Sequence, residues 1–220
     1  MAREMSQRQR VGALERDHRI ALPEAQKMIR ETRHIIMERG VIAARTRDIA
    51  KACGLSQTAP LYYFGTKGRL LAEVLRGDHN QRLAGLRARL EPATSHEELV
   101  DALHGTLRAF LEERRMRAAH ELLAEITRLS LEDHQLAELR AEFRREYRDV
   151  LARLLGDKQR AGVVSLSAHA TVVAGLLISL AQGLAVEMTA DPGWRASEAI
   201  DQARIVIIAL VCPALVGQRS

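Results

Sequence analysis

Apolar residues recur at helical spacing along almost the whole of this 220-residue chain, and no segment of useful length alternates as a strand would. Pro23 with Glu24 is a typical helix start, and the apolar positions that follow lead to Gly40, a typical helix end. Further helices are predicted at about 46–53, 57–63, 67–90, 95–115, 116–130, 131–158, 167–189 and 196–216. The sequence therefore predicts an all-α fold.

Charge divides the chain into two parts near Pro92. Residues 1–90 carry 18 Lys and Arg against 9 Asp and Glu, a net charge of +9, whereas residues 91–220 carry 15 against 19, a net charge of −4. A basic part joined to a mildly acidic one indicates that the basic part binds a polyanion. We therefore predict a flexible basic arm at 1–22, a polyanion-binding domain at 23–90 and a second helical domain at 91–220.

Motifs of catalytic and metal-binding proteins are missing from the sequence. His120 and Glu121 begin like a metalloprotease helix, but Ala124 stands where the second zinc-binding His would be needed. Cys53 and Cys212 are far apart, with no cluster of Cys and His around them, which favours reduced thiols. We expect no enzyme activity, no cofactor and no metal site.

The ends of the chain bear on its location. The N-terminus is charged where a signal peptide requires an apolar stretch, which favours the cytoplasm. The apolar run from Ala170 to Met188 approaches membrane-spanning length, but Gln182 and three Gly or Ser residues interrupt it. We expect no membrane partner, and we interpret this run and the last helix as buried helices of a soluble protein.

Two of the predicted helices are short and lie close together. From Thr46 to Phe64 they have the dimensions of a helix-turn-helix at about 45–64, with Gly54 in the turn. Ile49 and Ala50 are expected to pack against Leu61 and so fix the angle between the two helices.

The second helix of such a motif contacts DNA bases with its first residues. With Ser56 as its cap, the outward residues would be Gln57, Thr58 and Ala59. Gln can pair with adenine through two hydrogen bonds, and methyl groups of Thr and Ala can contact the methyl of thymine. Phosphates would be bound by tyrosine hydroxyls and by a lysine at the next helix start, at Tyr62, Tyr63 and Lys67.

The order and spacing of these residues carry a family resemblance over residues 28–71. The sequence motifs are Arg39-Gly40, Arg45-Thr46-Arg47, Asp48-Ile49-Ala50, Cys53-Gly54-Leu55-Ser56, and Leu61-Tyr62-Tyr63-Phe64 followed by Lys67. The segment resembles the DNA-binding domain of the TetR (tetracycline-repressor) family of bacterial transcriptional regulators. Within that resemblance Arg45, Thr46 and Arg47 join the predicted DNA-binding residues.

The chain departs from the family pattern at three positions. Arg45 stands where the family usually has a capping Thr, so we expect Thr46 to cap and Arg45 to contact phosphate. Thr58 occupies a usual glycine position. Leu61 stands where the family most often has its phosphate-binding Tyr, and either Tyr62 or Tyr63 takes that role.

The resemblance also has implications for the rest of the chain. It implies a homodimer formed through the last two helices, whose small residues permit close approach, and a small-molecule effector bound among the middle helices by residues that the sequence does not identify. It further implies a repressor released from a palindromic operator by its effector; an activator has the same sequence pattern. The alternative is a helical small-molecule-binding or enzymatic protein in which the helix-turn-helix is only scaffold.

Overall fold

The structure, a computed structural model, describes residues 19–112, 116–191 and 193–215. These residues contain α-helices joined by turns and two short 3-10 segments, with no strand among them, which confirms the all-α prediction. In chain order the helices are α1 (Pro23–Arg39), α2 (Thr46–Cys53), α3 (Ala59–Phe64), α4 (Lys67–Leu90), α5 (His96–Glu112), α6 (Met116–Leu129), α7 (His134–Arg160), α8 (Ala170–Ala190) and α9 (Ala196–Val211).

The helix bounds agree with the predicted ones at α2 and α4, and they differ at other helices, among them α3 and α7. Helix α7 begins at His134 instead of residue 131, because the Asp133 carboxylate accepts a hydrogen bond from the Leu136 N–H at 3.1 Å and so caps the helix. The predicted helix ends at residues 115 and 216 lie outside the described residues.

The chain forms two compact units, and helices α4, α6 and α7 each contribute residues to both. Of the described residues, the first unit takes 19–78 and 118–140, and the second takes the remainder. These units are defined by contacts, whereas the predicted division at residue 91 is one of function and stays a prediction.

The first unit is built on one apolar core. Met28 and Ile36 of α1, Ile49 of α2, Phe64 of α3 and Leu71 of α4 are all buried in it. An ion pair supports it, since the Arg33 Nε lies 2.7 Å from the Asp78 carboxylate, which is only 10% exposed. The core holds the helix-turn-helix on α1 and α4.

The second unit has a separate core. Leu90 of α4, Leu99 of α5, Leu155 of α7, Val173 of α8 and Ile207 of α9 are buried together in it. Helices α5 and α9 are further joined by polar contacts: His104 Nε2 lies 2.8 Å from the Ile200 carbonyl oxygen, and two ion pairs, Arg108 with Asp201 and Arg204 with Asp101, connect the helices. These contacts fix α9 on one side of the unit.

Helix α8 is less buried than its composition predicts. Among the described helices it is the one long and apolar enough to cross a membrane, and 17% of its most apolar window is buried in the chain. One face packs on the core, and the opposite face is exposed among the described residues. That face, here called the α8 stripe, follows a spacing of four and three residues and is exposed at Val172, Leu176, Ser179, Gly183, Val186 and Ala190.

Candidate nucleic-acid interface

The turn between α2 and α3 is fixed by glycine and by backbone hydrogen bonds. Gly54 has a φ of 70° and a ψ of 29°, in the left-handed region that favours glycine. Its N–H donates to the Lys51 carbonyl at 3.1 Å, and the Leu55 N–H donates to the Ala50 carbonyl at 2.9 Å. This pair of bonds is the Schellman motif, which satisfies the last carbonyls of a helix. It fixes the direction in which the chain leaves α2.

The residues that follow the turn are exposed, as predicted for base contact, but they precede the helix. Helix α3 begins at Ala59, so the predicted cap at Ser56 is wrong. Ser56 instead accepts the Ala59 N–H through its carbonyl at 3.0 Å, and its hydroxyl lies 3.1 Å from that of Thr58. Gln57 and Thr58 therefore lie in an exposed turn.

The later start of α3 changes which of its residues face inward. Ala59 and Phe64 are buried, at 8% and 2% exposure, and Pro60 in the first turn is buried with them. Leu61 is 55% exposed, so its predicted packing against Ile49 does not form. The reason is helical phase: positions four apart, 60 and 64, share the inner face, and position 61 is turned about 100° away from 60. Ala59 was predicted to point outward, but it is part of the core.

The start of α2 presents two exposed arginines. Arg45 is extended, with a φ of −79° and a ψ of 140°, and immediately precedes the helix. Thr46 is the first helical residue, so its hydroxyl is one position too late, and no side chain caps α2. The prediction of a Thr46 cap is therefore wrong. The Arg47 side chain is 65% exposed, and its Nε lies 3.7 Å from the Asp48 carboxylate.

The two tyrosines of α3 occupy different environments. Their rings meet edge to face with centroids 5.0 Å apart, but Tyr62 is 63% exposed while Tyr63 is half-buried against the core. Loss of solvation raises the pKa of the Tyr63 hydroxyl, with smaller contributions from Glu24 and Tyr62. Near neutral pH that hydroxyl stays protonated.

Lys67 lies at the first position of α4. Thr66 precedes it as the cap, because its hydroxyl accepts a hydrogen bond from the Arg69 N–H at 3.2 Å. A cation beside the free N–H groups of a helix start is a favourable site for phosphate. The backbone N–H groups at the start of α4 thus add to the positive charge of Lys67.

Sequence reasoning missed the partner of Tyr62. The Arg19 Nη1 donates to the Tyr62 carbonyl at 3.3 Å, and the guanidinium carbon lies 5.7 Å from the centre of the Tyr62 ring. A contact between residues 43 positions apart leaves no periodic signal in a sequence. The remainder of the predicted basic arm up to residue 18 lies outside the described residues.

Groups of three or more possible metal ligands do not occur among residues 19–112, 116–191 and 193–215. Cys53 and Cys212 are buried free thiols, and burial raises the pKa of each. A thiol of raised pKa is a poor nucleophile. Around α2 and α3 the first unit carries exposed polar residues that include Arg45, Arg47, Gln57 and Thr58.

Comparison with known proteins agrees with this geometry. Residues 28–74 match the family model of bacterial regulatory proteins of the tetR family, which confirms the resemblance predicted from the sequence. No curated protein matches the chain.

Solved structures resemble the chain over most of its length. Salmonella enterica GusR shares 22% identity with a TM-score of 0.67, covering 87% of this chain and 96% of GusR. A transcriptional regulator from Saccharomonospora viridis in complex with choline shares 20% identity, covers 84% and 96% of the two chains, and has a TM-score of 0.66. A TetR-family transcriptional regulator from Rhodococcus sp. shares 19% identity, covers 84% and 96%, and has a TM-score of 0.65. At these identities the likeness shows a common fold.

The turn after α2 leads to a paired prediction on stability. Gly54→Ala is expected to lower the free energy of unfolding by about 1 kcal/mol, because its φ of 70° strains any residue with a Cβ, although that Cβ would meet nothing within 4 Å. Gly77→Ala, at an exposed site inside α4 with equal space, is the control and is expected to raise it by about 1 kcal/mol. Urea unfolding followed by circular dichroism measures both. Equal signs for the two changes would contradict the left-handed turn.

Proposed function

We propose that this chain is a DNA-binding transcriptional regulator that represses by occupying a palindromic operator as a homodimer and is released by a small molecule. The observation that carries the proposal is the exposed turn of Gln57 and Thr58 at the start of α3, inside a TetR-type domain. Residues 1–90, which contain that domain, have a net charge of +9, as DNA binding requires. Such a protein acts in the cytoplasm without enzymatic activity.

Base contacts are assigned to the exposed turn, and phosphate contacts to the residues around it. Gln57 and Thr58 reach the major groove, where a Gln amide can pair with adenine. Two residues support that turn. Ala59 is buried in the core, and its N–H donates to the Ser56 carbonyl. Exposed or helix-terminal groups bind the phosphates. They are Arg45, Thr46, Arg47, one or both of Tyr62 and Tyr63, and Lys67.

A second copy of the chain is proposed to cover the α8 stripe. Val172, Leu176 and Val186 are 52%, 48% and 61% exposed, and Ile205 and Val206 of α9 are 57% and 44% exposed. Apolar side chains at a spacing of four and three residues suit packing against another helix, and Gly183 and Ser179 allow close approach. Two helices from each copy then form a four-helix interface. A two-fold dimer presents two recognition helices to a two-fold operator.

The effector site is assigned to the second unit. The Saccharomonospora viridis protein of similar fold was solved with choline. In this chain a ligand would act only through its different affinity for the DNA-bound and the free conformation, and DNA would weaken ligand binding by the same factor. The chemistry of the effector is left to experiment.

A pair of substitutions separates phosphate contact from base contact on a site selected from random duplex DNA. Lys67→Glu should weaken binding to all sequences and reduce the salt dependence of the affinity by about one counterion. Gln57→Ala should cost about 1–3 kcal/mol at one base pair and relax preference there. Affinities on single-base variants of the site, measured at two salt concentrations, report both effects.

The control for Lys67→Glu is Arg153→Glu, which makes the same change of charge at an exposed position of the second unit. It should leave DNA affinity within about twofold. Selection that recovers no site with the unaltered protein would favour the alternative, in which the helix-turn-helix is scaffold.

The proposed dimer predicts a separate result in the absence of DNA. Val186→Asp places one charge from each copy in an apolar interface and should raise the dimer dissociation constant at least a hundredfold, about 3 kcal/mol. Leu131→Asp is the matched control, since Leu131 is 84% exposed in the first unit. Sedimentation velocity over a range of concentrations measures both. A monomeric unaltered protein, or a Val186→Asp dimer as tight as the control, would contradict the interface.

A further inference from the structure

Helix α3 is too short to be stable alone, and its last carbonyl groups need partners. It has six residues, whereas isolated helices below about 12 residues are marginal in water. The Leu61 carbonyl accepts the Gly65 N–H at 2.8 Å. The Tyr62 carbonyl accepts from the Arg19 guanidinium at 3.3 Å, so a residue outside the helix-turn-helix helps to end α3.

The same guanidinium also contacts the side chain of Tyr62. Its carbon atom lies 5.7 Å from the ring centre, within the range of a cation–π contact. The edge-to-face contact with Tyr63, which packs on the core, restrains the Tyr62 ring further. A side chain that is 63% exposed is thus held at its backbone and at its ring.

Arg19 is itself held in place. Its carbonyl accepts the Leu22 N–H at 3.2 Å, and the adjacent Ile20 packs on the core while its carbonyl accepts from the Gln26 side chain at 2.8 Å. The Arg19 Nε is buried and has no hydrogen-bond partner among the residues that the structure describes. Burying that donor costs free energy, which the contacts of the guanidinium with Tyr62 offset in part.

We propose that Arg19 is a positioning residue of the DNA interface, which orients Tyr62 so that its hydroxyl meets a DNA phosphate. The proposal rests on the proposed DNA binding. It assigns the phosphate contact to Tyr62 and leaves Tyr63 as a core residue that supports the ring. Arg19 acts through Tyr62 and does not neutralise a phosphate.

A double-mutant cycle on the full chain tests this assignment, with the selected duplex site as the probe. Tyr62→Phe, which removes only the hydroxyl, should lower DNA affinity on the order of tenfold, as expected for a hydrogen bond to a charged group. Arg19→Ala should lower it about fivefold by itself, and by less than about twofold when Tyr62→Phe is already present. Arg19→Ala should leave the salt dependence of the affinity unchanged.

Several outcomes would overturn the proposal. Equal losses from Arg19→Ala with and without Tyr62→Phe would mean that Arg19 acts independently, and a salt dependence lowered by about one counterion would mean that it binds phosphate itself. Arg30→Ala removes an exposed charge of α1. If it lowers DNA affinity as much as Arg19→Ala does, the effect of Arg19→Ala comes from net charge alone. If Arg19→Ala does not fold, Arg19→Met keeps the apolar stem and takes its place in the cycle.

The failure of this proposal is distinguishable from the failure of the proposed function. An unaltered protein that binds no selected duplex overturns both. An unaltered protein that binds in a salt-dependent manner, with Arg19→Ala and Tyr62→Phe additive, overturns only the positioning role.

Discussion

The packing of α3 against the first core is the interaction on which the proposed DNA-binding surface depends. A helix of six residues gains its stability from burial, here of Ala59, Pro60 and Phe64 on the inner face. Because that face is fixed, Leu61 and Tyr62 must face solvent, and the turn before the helix must present Gln57 and Thr58. The exposure of the proposed recognition surface therefore follows from the burial of three residues.

In the second unit, by contrast, some apolar side chains of the last two helices are not buried. The α8 stripe carries valine and leucine side chains that are exposed among the described residues, and two apolar residues of α9 are exposed as well. Exposed apolar side chains along one face of a helix suit an interaction site. The proposed homodimer would cover it with an identical surface.

Much of the fold could be predicted from the sequence, because helical periodicity and helix-ending glycines are local signals. They predict the approximate bounds of α2 and α4, and the motif spacing predicts the family resemblance. The start of α3 could not be predicted, because a helix that starts after Ser56 and one that starts after Thr58 are both compatible with the local sequence. Which start forms depends on which side chains enter the core. The Arg19 contact with Tyr62 and the exposure of α8 depend on tertiary structure, which local sequence patterns do not predict.

The measurement that tests the central claim most directly is a footprint of the purified protein on genomic fragments captured at low salt. The account predicts a protected, two-fold-symmetric site whose half-sites are about one DNA turn apart, with protection that weakens as salt rises. Capture of no fragment, or protection without symmetry and without salt dependence, would contradict a dimeric operator-binding regulator.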